Sequence, residues 1–236
     1  MGGMFRLMRF LWFGAFFAVT SSVAGAQTPV VATPLRSKTP RFRLPRVSGM
    51  SDKGIERRVN ALLAQKQSEY VKELRDCRRP DLPGPSGDDA KMRVAYLSDN
   101  LLSLDVRVTV VMCAPYPQID MAKPFTIDLR SGAEVVLNDF FQSDFLYSVV
   151  PKLYLSRYQT VGMNHTANDE CLNELRKEKP LYIWWLDRKR GGLVVEPDVP
   201  HVMQACADEE VISWAELATY LRNEKIAGEF RKLALR

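Results

Sequence analysis

The run Leu101-Leu102-Ser103-Leu104-Asp105-Val106-Arg107-Val108-Thr109-Val110-Val111-Met112 sets Leu102, Leu104, Val106, Val108 and Val110 against Ser103, Asp105, Arg107 and Thr109. Successive side chains of a strand point to opposite faces, so a period of two held this long predicts a half-buried strand. Met92 to Leu97 lies just upstream, separated by the turn-forming Ser98-Asp99-Asn100, and the two segments should pair as an antiparallel hairpin. Phe125, Ile127 and Leu129 mark a third strand, Ser131-Gly132 a turn, and Val135 to Leu137 a short fourth strand.

The flanking segments switch to the helical period. From Ser51 to Asp76, Ile55, Val59, Leu62, Leu63, Tyr70 and Leu74 recur mostly at three- and four-residue intervals, which predicts an amphipathic helix covering the sheet. Its other face carries Glu56, Arg57, Arg58, Lys66, Glu69, Lys72 and Glu73 and reads as solvated surface. Residues 80–89 are rich in Pro, Gly and Asp and should form a surface loop.

Ser143 is placed to cap a helix through Phe145, Val149, Leu153 and Tyr154, with Pro151 forcing a kink or a late start. Another helix fits Asn168 to Lys179 and stops at Pro180. Leu181 to Asp187, Gly191-Gly192 and Leu193 to Val195 make a late hairpin. The adjacent Trp184 and Trp185 face opposite sides of it, so one belongs to the core, and the other is covered by a helix or offers a contact surface. Ser213-Trp214-Ala215-Glu216 is a capping box opening a helix. The expected architecture is α+β, a mainly antiparallel sheet with flanking helices in a single domain.

The chain has 236 residues, 46% hydrophobic and 26% charged, enough to bury a core. Arg6 and Arg9 precede the apolar run Phe10 to Ala18, which leads to Ala24-Gly25-Ala26. This is the pattern of a secretory signal over residues 1–26, cleaved before Gln27. The apolar stretch is about half of the roughly 20 residues that span a bilayer, so no anchor is expected after cleavage. Losing Arg6 and Arg9 lowers Lys+Arg from 33 to 31 and the net charge from +5 to +3. Part of that excess lies in residues 27–45, a Pro-rich basic segment that reads as an extended arm whose end can pair as an edge strand. Elsewhere both signs are interspersed, and no nucleic-acid partner is implied.

Export makes the four cysteines disulfide candidates. No spacing is C-x-x-C, which argues against a zinc ribbon or thioredoxin-like site. Of the three possible pairings we favour Cys77 with Cys113 and Cys171 with Cys206, because each ties a predicted helix to a nearby strand or loop. The domain, residues 46–236, would thus be stapled twice.

Chemistry-bearing motifs are sparse. Neither a phosphate-binding glycine pattern nor G-x-S-x-G occurs, and the two histidines, His165 and His201, have no patterned partner. Asp139 and Asp144 read as turn and cap residues, and Asp128 follows no pairing rule. No catalytic residue, metal ligand or cofactor is assigned.

One pattern extends over residues 45 to 225. Leu101-Leu102-Ser103-Leu104, the strand after it, Cys113-Ala114-Pro115-Tyr116-Pro117, Phe125-Thr126-Ile127-Asp128-Leu129-Arg130-Ser131-Gly132 and Leu137-Asn138-Asp139-Phe140-Phe141 together resemble the DUF3298 or RsiV-like C-terminal domain. This is an envelope family whose domain also occurs in PdaC-type peptidoglycan deacetylases. The resemblance implies an extracytoplasmic domain, here a Gram-negative periplasmic variant. In one member of the family the domain takes part in recognising lysozyme; in the deacetylases the chemistry sits in a separate domain. This chain departs where Cys113-Ala114-Pro115-Tyr116-Pro117 replaces a His-bearing turn, so no role of that histidine carries over. The expectation is a soluble periplasmic non-catalytic binding module for a lysozyme-like protein or peptidoglycan. Tyr116, held between Pro115 and Pro117, and the pair Trp184 and Trp185 are the candidate contacts. The alternative is an envelope glycan hydrolase or modifying enzyme using paired carboxylates.

Overall fold

The computed structural model describes residues 30–34, 43–76, 89–111, 118–136, 140–142, 144–158 and 165–235. The long alternating run is strand β4 (Leu101–Val111), with β3 (Asp89–Leu97) antiparallel on one side. On its other side β4 pairs with β6 (Phe125–Asp128) near its start and with β5 (Gln118–Ala122) near its end. Strand β7 (Ala133–Glu134) completes this five-stranded sheet beyond β6. The fourth strand therefore falls two residues before the expected Val135. The chain turns back directly after Gly132, whose φ of 76° is the left-handed conformation that the turn requires. No turn-bounded pattern marked β5.

Leu102, Leu104, Val106 and Val108 are buried under helix α1 (Lys53–Asp76), in one cluster with Val59, Leu63 and Tyr70. Asp52 caps α1, accepting from the N–H groups of Gly54 at 2.7 Å and Ile55 at 3.0 Å. Much of the face read as solvated is engaged. Lys66 pairs with Glu134 at 2.8 Å and lies 5.6 Å from the Phe125 ring centroid; Glu73 pairs with Lys123; Arg58 donates to the Ser131 carbonyl at 3.1 Å. Arg57 and Lys72 behave as plain surface, and Glu69 accepts from Gln65, one turn earlier in the helix, at 2.8 Å. The helix is flanked by β7 and the β6–β7 turn as well as covering β4, so a second row of its side chains finds partners.

The same helix holds the arm. Strands β1 (Val31–Pro34) and β2 (Pro45–Ser48) pair antiparallel. Asn60 accepts from the Val47 N–H and donates to its carbonyl, both at 2.9 Å, and Gln67 accepts from the Leu44 N–H at 3.0 Å. Leu44 and Val47 are fully buried. The strand forms at Pro45–Ser48, just past the alternating Arg41 to Leu44 expected to pair as an edge strand, and its alternate side chains reach the α1 core.

A three-stranded antiparallel sheet follows, ordered β10–β9–β8 from β8 (Leu181–Asp187), β9 (Gly192–Asp198) and β10 (Glu210–Ser213). Helices α2 (Val150–Arg157), α4 (Trp214–Tyr220) and α5 (Glu224–Ala234) contribute Tyr154, Leu217 and Phe230 to the second large core, with Leu193 and Val195 from the sheet. Pro151 sits in the first turn of α2, where its missing N–H costs nothing, and a π-helical turn at Phe145–Val149 precedes it. The expected late start is therefore what occurs. The capping box forms: Ser213 accepts from Glu216 N–H, and Glu216 accepts from Ser213 N–H at 3.2 Å. Helix α3 (His165–Glu178) begins three residues before Asn168 and ends before Pro180.

The Cys171–Cys206 disulfide is present, with Cα atoms 5.3 Å apart, and joins α3 to a 3₁₀ turn at His201–Cys206. Cys77 and Cys113 lie outside the described residues. No helix among the described residues is long and apolar enough to cross a membrane. The fold class is α+β as expected, but among the described residues the strands divide into three antiparallel sheets, of two, three and five strands, rather than one.

Candidate functional site

The second face of β4 carries Leu101, Ser103, Asp105 and Arg107, and it is not open to solvent: the three-stranded sheet closes over it. Ser103 is fully buried, exchanging a 2.8 Å hydrogen bond with the Thr126 hydroxyl and accepting from the Leu186 N–H at 3.0 Å. Asp187, 1% exposed, accepts from Arg93 at 2.7 Å and from the backbone N–H groups of Lys189 at 2.9 Å and Arg190 at 3.1 Å. Burial pushes its carboxyl up, but the Arg93 guanidinium and the two amides outweigh this and hold it below the ordinary Asp range. Arg93 also reaches Asp105 at 2.8 Å, so two carboxylates from different sheets share one guanidinium.

Arg107 continues the network. Its guanidinium lies 4.9 Å from the Trp185 ring centroid and pairs with Glu196 at 2.6 Å and with Glu209, which also binds Arg190. Arg107, Arg190, Glu196, Asp208, Glu209 and Glu210 line a polar hollow of about 530 Å³. Burial raises the Glu196 carboxyl above the ordinary Glu range despite Arg107, and burial also raises Glu210. Two carboxylates thus converge on one cation, and one of them holds its proton more tightly than a free glutamate. Sequence patterning missed this cluster: its members come from β4, the β8–β9 turn, β9, and the start of β10 with the segment before it, at separations no short motif records. The one available signal was the charged pair Asp105 and Arg107 in the middle of the alternating strand.

A second hollow, of about 500 Å³, opens between α2, the end of α3 and the start of β8. Leu146, Pro151, Leu155 and Leu175 provide apolar walls, with Tyr147 and Leu181, 60% and 61% exposed, at its lip. Lys152, Arg176 and Lys179 line it, no acid does, and among the described residues none of the three pairs with a carboxylate. A third hollow lies beside the β3–β4 turn, where Glu229 of α5 accepts from the Tyr96 hydroxyl and from Asn100 at 2.8 Å. That contact ties the C-terminal helix to the hairpin.

The residues singled out from sequence are distributed as follows. Trp185 is fully buried between the sheets, and its indole N–H has no hydrogen-bond partner among the described residues. Trp184 is half-buried against the core under α2, α4 and α5. The two rings therefore face opposite sides of β8. Pro115, Tyr116 and Pro117 lie outside the described residues, as does Asp139. Asp128 accepts from its neighbour Arg130, from the guanidinium at 2.8 Å and the N–H at 2.9 Å, and is a turn residue. Asp144 is exposed with φ of 69°. His165 starts α3 and His201 starts the 3₁₀ turn. Among the described residues no group of three or more His, Cys, Asp or Glu is arranged to hold a metal.

A solved DUF3298 family structure from Bacteroides fragilis aligns over 87% of this chain and 96% of its own, with a TM-score of 0.53 and 15% identity. A DUF3298 family protein from Pseudomonas aeruginosa aligns over 83% and 94%, with a TM-score of 0.42 and 10% identity. The first establishes a shared fold of the DUF3298 type, in line with the turn-and-strand pattern of the sequence. No protein-family model matches the chain, and neither does any curated protein.

Proposed function

We propose that this protein is a non-catalytic binding module of the bacterial cell envelope, exported to the periplasm after cleavage before Gln27. In this reading the groove between α2, α3 and β8 holds a protein partner, with a lysozyme-like protein as the specific candidate and peptidoglycan as the other ligand. The supporting observation is the groove itself, apolar walls rimmed by three cations that no carboxylate among the described residues neutralises. Folding alone gives no reason to leave Leu181 and Tyr147 open beside them. Tyr116, between Pro115 and Pro117, is a second contact, and a Cys77–Cys113 bridge is the second staple.

The test is retention of lysozyme and of peptidoglycan on the immobilised mature protein, beside Leu181→Glu and a denatured control. Retention that Leu181→Glu abolishes is the expected result; retention no better than the denatured control for both ligands overturns the proposal.

One observation favours a second reading, a glycan hydrolase: Glu196 and Glu209 share the Arg107 guanidinium in a polar hollow, and Glu196 is shifted toward the protonated form a general acid requires. Release of reducing ends from peptidoglycan, lost in Glu196→Gln, would establish it. Absence of any release by the wild-type protein removes it.

A further inference from the structure

Strand β8 forms one edge of its sheet, and the residue opposite Tyr182 decides which of its backbone groups are free. That residue is Pro197, which has no N–H to give. Antiparallel ladders alternate between residue pairs that exchange hydrogen bonds and pairs that do not, so Tyr182 belongs to the second kind and turns its N–H and C=O away from β9. Leu186, of the same parity, agrees: its N–H leaves the ladder and donates to Ser103 Oγ at 3.0 Å. Trp184 shares that parity. Among the described residues no hydrogen bond outside the β8–β9 ladder involves Tyr182 or Trp184. The C-terminal part of the edge is consumed by the five-stranded sheet, while the N-terminal part runs into the groove, which Leu181 and Tyr182 help to line.

An open strand edge beside an apolar groove is the arrangement that strand addition uses: main-chain hydrogen bonds supply affinity and alternate side chains fill pockets. An acyl chain would fill the groove but leave these amides unmet. The charge selects further, since Lys152, Arg176 and Lys179 line the groove without a carboxylate partner among the described residues. We propose that the groove and the β8 edge together take an extended acidic peptide, added as a strand beside Tyr182 and Trp184. An apolar side chain enters the groove and carboxylates meet Lys152, Arg176 and Lys179. This rests on the groove being the binding surface proposed above and adds to it the chemistry and backbone form of the partner.

The probe is a short peptide in which Leu and Glu alternate, with a Leu–Lys peptide of equal length as control, titrated into the full mature protein by fluorescence anisotropy. The acidic peptide should bind and the basic one should not, and the double variant Lys152→Glu with Lys179→Glu should weaken binding by about tenfold or more. N-methylation of single peptide amides should weaken binding by about tenfold at every second position and little between them, because only alternate amides of an added strand face β8. Amide exchange at Tyr182 and Trp184 should slow in the complex. A flat N-methylation scan, unchanged exchange at those amides, or equal binding of the basic peptide overturns strand addition. So does binding to phosphatidylglycerol vesicles that the acidic peptide fails to displace. If lysozyme or peptidoglycan is retained and lost in Leu181→Glu while the scan stays flat, strand addition falls but the groove remains the binding surface.

Discussion

Replacing Asp187 should separate the two jobs its carboxylate does. One oxygen, Oδ1, accepts from the Lys189 and Arg190 amides that close the β8–β9 turn, while Oδ2 receives Arg93 across the sheet junction. Asp187→Asn can keep the first set, but its amide nitrogen then faces the Arg93 guanidinium donor to donor, so the second contact is lost. Arg93 is 41% exposed and retains Asp105, so screening leaves this contact worth about 1 kcal/mol. Asp187→Ala also frees the two turn amides, at roughly 0.5–1 kcal/mol each because their residues are exposed and water re-solvates them. The expected losses are about 1 kcal/mol for Asn and about 2–3 kcal/mol for Ala. In urea unfolding followed by tryptophan fluorescence, the Ala midpoint should fall by about 1 M and the Asn midpoint by less than half that.

The acid limb gives an independent reading. The folded carboxyl lies below its ordinary value of 3.8, so its stabilisation is fully present above that value and is lost as pH falls through the lower folded value. Asp187→Asn should therefore lose less stability than wild type as pH falls below about 4. Equal losses for Asn and Ala, or an unchanged acid limb, would refute the division of labour.

Four further outcomes follow from the packing. A Cβ at Gly192 would meet the Ile212 carbonyl oxygen at 2.0 Å, so Gly192→Ala should cost on the order of 3 kcal/mol or prevent folding; Gly228, with open space inside α5, should gain about 0.5–1 kcal/mol as Ala, both read by thermal unfolding. Ser213→Ala removes the cap of α4 and should cost about 1 kcal/mol in the same assay. Removing the Cys171–Cys206 link by a double Ala substitution opens a loop spanning 35 residues and should cost up to about 4 kcal/mol in denaturant unfolding, whereas a loss under about 0.5 kcal/mol would contradict that loop argument.

The elements legible in the sequence are those whose cause is local. Alternation marked β4, a three- and four-residue recurrence marked α1, and Ser213 with Glu216 marked the start of α4. Each is read within about a dozen residues. What escaped depends on partners far along the chain. Helix α5 is the exception, since its signal is local: it was not separated from the tail although Asn223 caps it, accepting from Lys225 and Ile226 N–H. Ser103, Asp105 and Arg107 look like a solvent face in a strand read alone; they are an interior face because β8 and β9 arrive more than seventy residues later. Lys66 and Glu73 look like surface charges until Glu134 and Lys123 are placed beside them.

The groove shows the same division at the scale of a site. Lys152, Arg176, Lys179 and Leu181 carry no motif, and no spacing joins them; only the approach of α2 and α3 to the start of β8 makes them neighbours. Sequence alone determined the fold class, the hairpin at its centre, the helix over it, the late Trp-bearing hairpin and the DUF3298-type pattern, because periodicity, turn residues and caps act over a few bonds. Tertiary structure decided that the strands divide into separate sheets, that charge locks the two larger ones together, and that among the described residues one strand edge is unpaired beside a cationic groove. Those outcomes depend on which distant surfaces exclude water from one another, and no local stretch of chain encodes that.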